Sequence, residues 1–338
     1  MDSNEVKSIV ENIRKEAAKR LVGQEQLVTD MFMAFVAGGH VLVEGVPGLA
    51  KTLAIKTLTE ILGLDFKRIQ FTPDLLPADV TGTLIYEQNK GSFTVRKGPV
   101  FANVILADEV NRAPAKVQSA MLEAMEEKQV TIGEETYSLP EPFFVLATQN
   151  PVEQEGTYNL PEAELDRFLM KLNVTYPSAE NEVNIVKTCG KAPSVSVSRI
   201  LKDGDIEKIR QACDKITCDD KLVEYIVSIL NVTRADSPAK KAGAMANMAS
   251  NRAFANVKAN DITRYINFGA SPRAGIAMLQ CAKVHALFEG RDFVLPEDIK
   301  AVAKNVLRHR LVLSYEAAAD NITSDEIIQR ILDFIPLP

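Results

Sequence analysis

The chain has 338 residues, 46% of them hydrophobic and 25% charged, and its 39 Lys and Arg against 45 Asp and Glu give a net charge of −6. Only 17 Gly and 16 Pro are present, which excludes a collagenous, low-complexity or wholly disordered chain, and the length suits two domains with full cores. The acid excess weighs against a broad phosphate-binding surface, because non-specific nucleic-acid affinity rests on clustered Lys and Arg.

Residues 5–20 place Val6, Ile9, Val10, Ile13 and Ala17 on one helical face, and a second helix is expected over 26–37, after the turn at Gly23. From residue 40 the pattern changes. Apolar runs at 40–43, 103–107 and 143–148 read as strands, 66–71 and 169–174 as two more, with helices at 51–62 and 115–127 between them. Strands alternating with helices imply an α/β fold, a parallel sheet covered on both faces. Two stretches interrupt the alternation, 83–96 around Asn89-Lys90-Gly91 and 129–139 around Gly133, and both read as β-hairpins.

Residues 177–205 read as irregular, with Pro193 and a Ser/Val run, so a domain boundary is expected there, between an α/β domain 1–190 and a helical domain 191–338. Beyond it the pattern is all helix, at 205–216, 221–233, 272–288, 296–307 and 324–333. The Ala-, Asn- and Lys-rich segment 236–259 fits a weakly packed helix or a long loop. The four cysteines show no CxxC spacing and the three histidines lie far apart, so neither a zinc site nor a disulfide framework is expected, and reduced thiols suit the cytoplasm. The N-terminal residues lack an apolar leader core, and no run approaches 18 apolar residues, so no membrane span is expected.

The strongest chemical signal is Gly45-Val46-Pro47-Gly48-Leu49-Ala50-Lys51-Thr52, which fits the phosphate-loop pattern G-x-x-x-x-G-K-[ST] except for Ala50. An apolar strand precedes it and a helix follows. Backbone N–H groups of such a turn and the helix N-terminus converge on an anionic phosphate. Lys51 supplies a point charge for the β- and γ-phosphates, and the Thr52 hydroxyl suits Mg²⁺. If Ala50 takes a positive φ, its Cβ costs about 1–2 kcal/mol.

Val104–Asp108 with Glu109 is the second half: a strand delivers Asp108 and Glu109 at its carboxyl end, where open α/β sheets bind ligands. Asp108 would hold Mg²⁺ and Glu109 would polarise an attacking water. A third strand ends at Asn150, which suits either a hydrogen bond to that water or to the γ-phosphate, or a turn before Pro151. Arg167 and Arg273 are candidates for a phosphoryl-transfer transition state, although a structural salt bridge is the commoner role for an arginine.

These motifs, in this order, resemble the AAA+ ATPases and specifically the MoxR family. The resemblance runs through the phosphate loop, including Ala50, and through 70–82 (QFTPDLLPADVTG), 98–127, 143–171, GASPRA at 269–274 and LRHRLVLS at 307–314. It implies a P-loop NTPase core followed by an all-helical lid, with ATP and Mg²⁺ as cofactors. Gly45–Thr52 then corresponds to Walker A, Asp108 and Glu109 to Walker B, Asn150 to sensor 1, Arg167 to an arginine finger acting on a neighbouring subunit, and Arg273 to sensor 2. Val22 and Gly23 resemble the segment lining the adenine pocket, and the two hairpins resemble the helix-2 insert and the pre-sensor-1 hairpin. The resemblance further implies a homo-oligomeric ring, typically hexameric, and chaperone-like work on a protein client, often with a von Willebrand factor A domain partner. The alternatives are a nucleic-acid motor, a chelatase-like motor subunit and a nucleotide-gated scaffold without turnover.

Overall fold

The computed structural model describes residues 1–46, 48–89, 91–150, 157–158, 160–187, 195–234 and 262–338. The chain divides into two units, Met1–Gln211 and Ala212–Pro338, each with its own core. The boundary expected at 190/191 lies outside the described residues, as do 236–259.

The first unit opens with α1 (Ser3–Ala18) and α2 (Glu25–Val36). Asp2 and Glu5 cap α1 reciprocally, Glu5 N–H donating to Asp2 and Asp2 N–H to Glu5, which satisfies two amides that the first turn leaves unpaired. Next come β1 (Val41–Glu44), α3 (Lys51–Leu62), β2 (Phe66–Gln70) and the short α4 (Pro77–Thr81). Gly63, at φ 70°, ends α3 in the left-handed cap that a side chain would disfavour. The hairpin β3 (Gly82–Glu87) and β4 (Ser92–Lys97) then projects, followed by β5 (Val104–Asp108), a single 3₁₀ turn at Val110–Arg112 and α5 (Ala115–Glu127). A second hairpin, β6 (Gln129–Ile132) with β7 (Glu135–Ser138), leads to β8 (Phe144–Gln149), α6 (Glu162–Leu165), β9 (Met170–Asn173) and α7 (Ala179–Lys187). Helix α7 corrects the expectation that 177–205 is irregular throughout. It buries no residue, so it carries no deep apolar stripe for the sequence to display.

The strand order is β2-β5-β8-β1-β9, and every pairing is parallel. The three central strands are buried on both faces, which is why they read as unbroken apolar runs. In a parallel sheet all carboxyl ends lie at one edge, so Glu44, Asp108 and Gln149, with Gln70 of β2, end on the same side.

His40, buried just before β1, ties the opposite edge together. Its Nδ1 accepts from Val145 N–H at 3.0 Å and its Nε2 faces the Met125 carbonyl at 3.1 Å. An acceptor on one nitrogen and a donor on the other fix a neutral tautomer. Burial pushes the His40 pKa down to about 4.

The division into units falls within α8 (Asp205–Asp214). The second unit packs α9 (Asp220–Thr233), α10 (Pro272–Phe288), α11 (Pro296–Leu307), the short α12 (Tyr315–Ala319) and α13 (Ser324–Phe334). Ile226, Ile229, Met278, Val302 and Ile331 are among its buried side chains. Among the described residues a strand pair departs from the all-helix pattern: β10 (Ile266–Phe268) pairs antiparallel with β11 (Val312–Leu313). Strands this short show too few residues for an alternating pattern. No helix among the described residues is long and apolar enough to cross a membrane.

Candidate functional site

The loop after β1 turns at the carboxyl edge. Gly45 has no room for a side chain, since a Cβ there would stand 2.9 Å from the Val174 carbonyl oxygen. Gly48 takes φ 87° with open space around its Cβ position, and Ala50, at φ 56° and ψ 21°, is left-handed as well. Pro47 lies outside the described residues. Helix α3 starts at Lys51, and no side chain caps its N-terminus. The amides of Lys51, Thr52 and Leu53 in that first turn therefore have no intrahelical partner, and the positive end of the helix dipole adds to them. Such free amides at a helix N-terminus suit an anion such as phosphate.

The Lys51 ammonium stays inside the loop, donating to the Gly45 carbonyl at 2.5 Å. Burial lowers its pKa, against an upward pull from the negative charges of Asp108, Glu109 and Glu44.

On the neighbouring strands, Asp108 ends β5 with its side chain 14% exposed. One carboxylate oxygen accepts the Thr148 hydroxyl at 2.5 Å, and Thr148 in turn accepts the Glu109 N–H at 2.9 Å. Glu109 itself is left-handed, at φ 58°. A non-glycine residue there carries about 1–2 kcal/mol of strain. The twist turns its carboxylate toward Gln70 and Arg112, whose Nε2 and Nη1 each donate to Oε2 at 2.9 Å. Asn150, buried, follows β8 between the loop of β1 and the acids of β5. Thr52 and Asp108 offer hard oxygen donors, the set that Mg²⁺ takes beside phosphate oxygens and water.

The structure thus brings Lys51, Thr52, Asp108, Glu109 and Asn150 to one edge. One expected site residue of this unit is not there. Arg167 lies just before β9, whose entry is fixed by Leu169 N–H donating to the His40 carbonyl at 2.8 Å. This is the amino-terminal edge of the sheet, and the four residues of β1 separate the two edges by about 13 Å. There the Arg167 guanidinium pairs with Glu126, at the far end of α5, at 3.3 Å. Arg273 stands exposed in the first turn of α10, in the second unit. Val22 and Gly23 precede α2, with Gly23 against Asn181 of α7, where a Cβ would stand 2.3 Å from the amide nitrogen.

Sequence motifs missed Arg68, Gln70, Arg112 and Thr148, which hold the two acids. Thr148 offered a signal, being the polar residue in an apolar strand. At 1% exposure it must find a partner. Arg68 and Gln70 alternate on one face of the edge strand beside the acids.

The model of the ATPase family associated with various cellular activities (AAA) matches residues 40–170, and the AAA lid domain matches 258–331. Chaperone MoxR1 of Mycobacterium tuberculosis is 46% identical over 96% of this chain and 81% of its own length. Protein MoxR of Methylorubrum extorquens is 30% identical over 96% of this chain and 94% of its own. The chain belongs to the MoxR family of AAA ATPases. A crystal structure from Cytophaga hutchinsonii, of a protein described as an ATPase, superposes with a TM-score of 0.85 at 47% identity and covers 99% of this chain and 97% of that one. The MoxR core is therefore the α/β unit with its carboxyl-edge loop, and the matched lid segment falls in the helical second unit.

Proposed function

We propose that this MoxR protein hydrolyses ATP with Mg²⁺ in a ring of like subunits and spends the resulting movement on a protein client. The observation that carries this reading is the separation of Arg167 from Lys51 and Glu109 on opposite edges of one sheet. A guanidinium at the amino-terminal edge cannot reach its own carboxyl-edge site. Beyond its pair with Glu126, it can meet a nucleotide only on another copy.

In this reading the first-turn amides of α3 and Lys51 bind the β- and γ-phosphates, while Val22 and Gly23 flank the base. Gly45, Val46, Pro47, Gly48, Leu49 and Ala50 form the turn around the phosphates. Thr52 and Asp108 would hold Mg²⁺, which neutralises charge on the bridging phosphate oxygens. Glu109 accepts the proton of the attacking water, once it parts from Gln70 or Arg112, and Asn150 orients that water. Arg167 of the adjoining copy meets the charge that develops on the γ-phosphate, and Arg273 senses the nucleotide from the second unit. Family resemblance supports a hexameric ring and a von Willebrand factor A domain protein as its partner. The domain division expected at 190/191 corresponds to a core that binds and a lid that moves.

The β3–β4 hairpin favours a protein client over nucleic acid. One face of it exposes Leu84, Tyr86 and Phe93, with the two rings 5.2 Å apart, an apolar patch beside the exposed Arg96 and Lys97. The test is complementation. Arg167→Ala and Glu109→Gln should each lose turnover, the former by about 10³–10⁵. Mixed, they recover activity at interfaces that pair an intact Glu109 with an intact Arg167. Rings that assemble from both variants and stay inactive would sink the reading.

A further inference from the structure

The edge strand beside the acids carries a charge that no motif accounts for. Arg68 and Gln70 lie two apart on β2, so they share a face, and Gln70 stands in register with Asp108. Arg68 directs two nitrogens at one Asp108 oxygen, Nη2 at 2.6 Å and Nε at 3.0 Å. The same Nη2 donates to Gln70 Oε1 at 2.6 Å, which braces the guanidinium in place. The other Asp108 oxygen is occupied by the Thr148 hydroxyl. Both oxygens of the carboxylate are thus engaged, and its charge is balanced within the chain.

The pair is also built to open. The Arg68 side chain is 50% exposed. An exposed arginine exchanges a carboxylate for water at small cost, unlike one locked in a core.

We infer that Arg68 is an internal counter-cation for Asp108, a positioning residue that occupies the carboxylate in the metal-free site and swings aside when metal and nucleotide arrive together. The inference rests on Asp108 being the metal-holding carboxylate of the proposed function. An oxygen that accepts a guanidinium at 2.6 Å has no room on that side for a divalent cation or its water, and two cations that close repel. Metal must therefore break the pair, and its affinity is reduced by what the pair contributes. The converse holds for nucleotide alone. With Arg68 in place, Asp108 presents no bare negative charge to a triphosphate. Arg68 thus favours metal-free nucleotide and disfavours the metal complex, narrowing the gap between them.

The measurement is calorimetric binding of ATPγS to the full chain, once in excess EDTA and once in excess Mg²⁺, taken as the ratio of the two dissociation constants. Arg68→Met keeps the stem and removes the charge. It should raise that ratio about three- to fivefold, the size of one half-exposed ion pair. In an Asp108→Asn background the same substitution should leave the ratio unchanged. Arg68→Gln carries the same expectation and keeps a donor for Gln70, which provides a folded variant where methionine is not tolerated. With Asp108 intact, an unchanged or lowered ratio would overturn the inference, and so would a rise that persists in Asp108→Asn. Lys51→Ala in the same titration separates the two failures. If it binds ATPγS as tightly as wild type, the phosphate-loop reading falls; if it does not, an unchanged ratio overturns Arg68 alone.

Discussion

Two aspartates, one in each unit, accept an arginine fork, and they are built differently. Asp298 is fully buried and receives Arg291 twice, at 2.7 and 2.6 Å, His285 Nδ1 at 2.6 Å and the Leu295 N–H at 2.7 Å. Despite its burial, these donors hold its carboxyl down at about 2. Asp108 receives a half-exposed arginine on one oxygen and a threonine on the other. Every lone pair at Asp298 that matters is satisfied from within the unit, which joins the end of α10 to the start of α11. The Asp108 arrangement leaves one side open to solvent. A carboxylate closed on all sides serves the fold, and one closed on a hinge of exposed side chain can change partners.

The comparison is tested most severely at Glu109. Glu109→Gln should lower ATP turnover by about 10²–10⁴, the usual contribution of a general base, while the melting temperature stays near wild type. Gln keeps an acceptor for Gln70 and Arg112, so stability has little to lose. Steady-state phosphate release and a thermal melt on one preparation check both halves. A collapse in melting temperature would put the carboxyl-edge acids in the same class as Asp298.

Asp298→Ala is the counterpart. Removing the buried carboxylate leaves Arg291 without its counter-charge and His285 without its hydrogen-bond partner, and the expected loss is about 3–5 kcal/mol from the second unit. Chemical denaturation followed by circular dichroism measures it. A loss below about 1 kcal/mol would mean that the cluster behaves as a surface ion pair, and the contrast between the units would dissolve.

How much of this was legible in the sequence follows the same divide. Strong periodicity delivered α5, α10 and α11 with the limits they have in the fold, and the strands of the five-stranded sheet were placed to within about a residue, the three central ones because burial on both faces writes an unmistakable apolar run. Helix α7 and the β10–β11 pair were missed because one buries nothing and the other is too short to alternate. Lys51, Asp108 and Glu109 were readable because their chemistry demands a spacing. The partners of the acids were not, since Arg68 and Thr148 reach Asp108 across 40 residues through strand order alone. The place of Arg167 is of the same kind. A motif names the arginine, but only the order β2-β5-β8-β1-β9 shows that it stands at the wrong edge for its own site.

Acid should separate the units in sequence. His40 is buried neutral with its pKa depressed to about 4, so between the unfolded value near 6.5 and that point the unfolded chain binds the extra proton. Stability of the first unit therefore falls as pH drops through this window, by about 1.4 kcal/mol per unit and ~3 kcal/mol in all. Asp298 works lower down. Its contribution is present above the unfolded value near 3.8 and is lost as pH falls toward about 2. Calorimetry from pH 7 to 4.5 should show the first unit weakening while the second holds. His40→Gln, which can still donate and accept, should flatten the first curve. Parallel loss in both units would refute the assignment to His40.

The smallest expected effect lies in the loop itself. Ala50 and Glu109 are both left-handed non-glycine residues flanking the proposed phosphate site, and neither has a side-chain cap that would repay the strain. For Glu109 the twist aims a carboxylate, so its cost has a chemical return. Ala50 aims only a methyl group. Ala50→Gly should therefore stabilise the first unit by about 1 kcal/mol, the left-handed penalty less the entropy glycine adds to the unfolded chain. ATP affinity should change little, since the amides that meet phosphate remain. If the glycine variant instead loses affinity at unchanged or higher stability, the methyl is restraining the loop in its binding shape. The strain at Ala50 would then belong with that at Glu109, as part of the site rather than a tolerated cost of the turn.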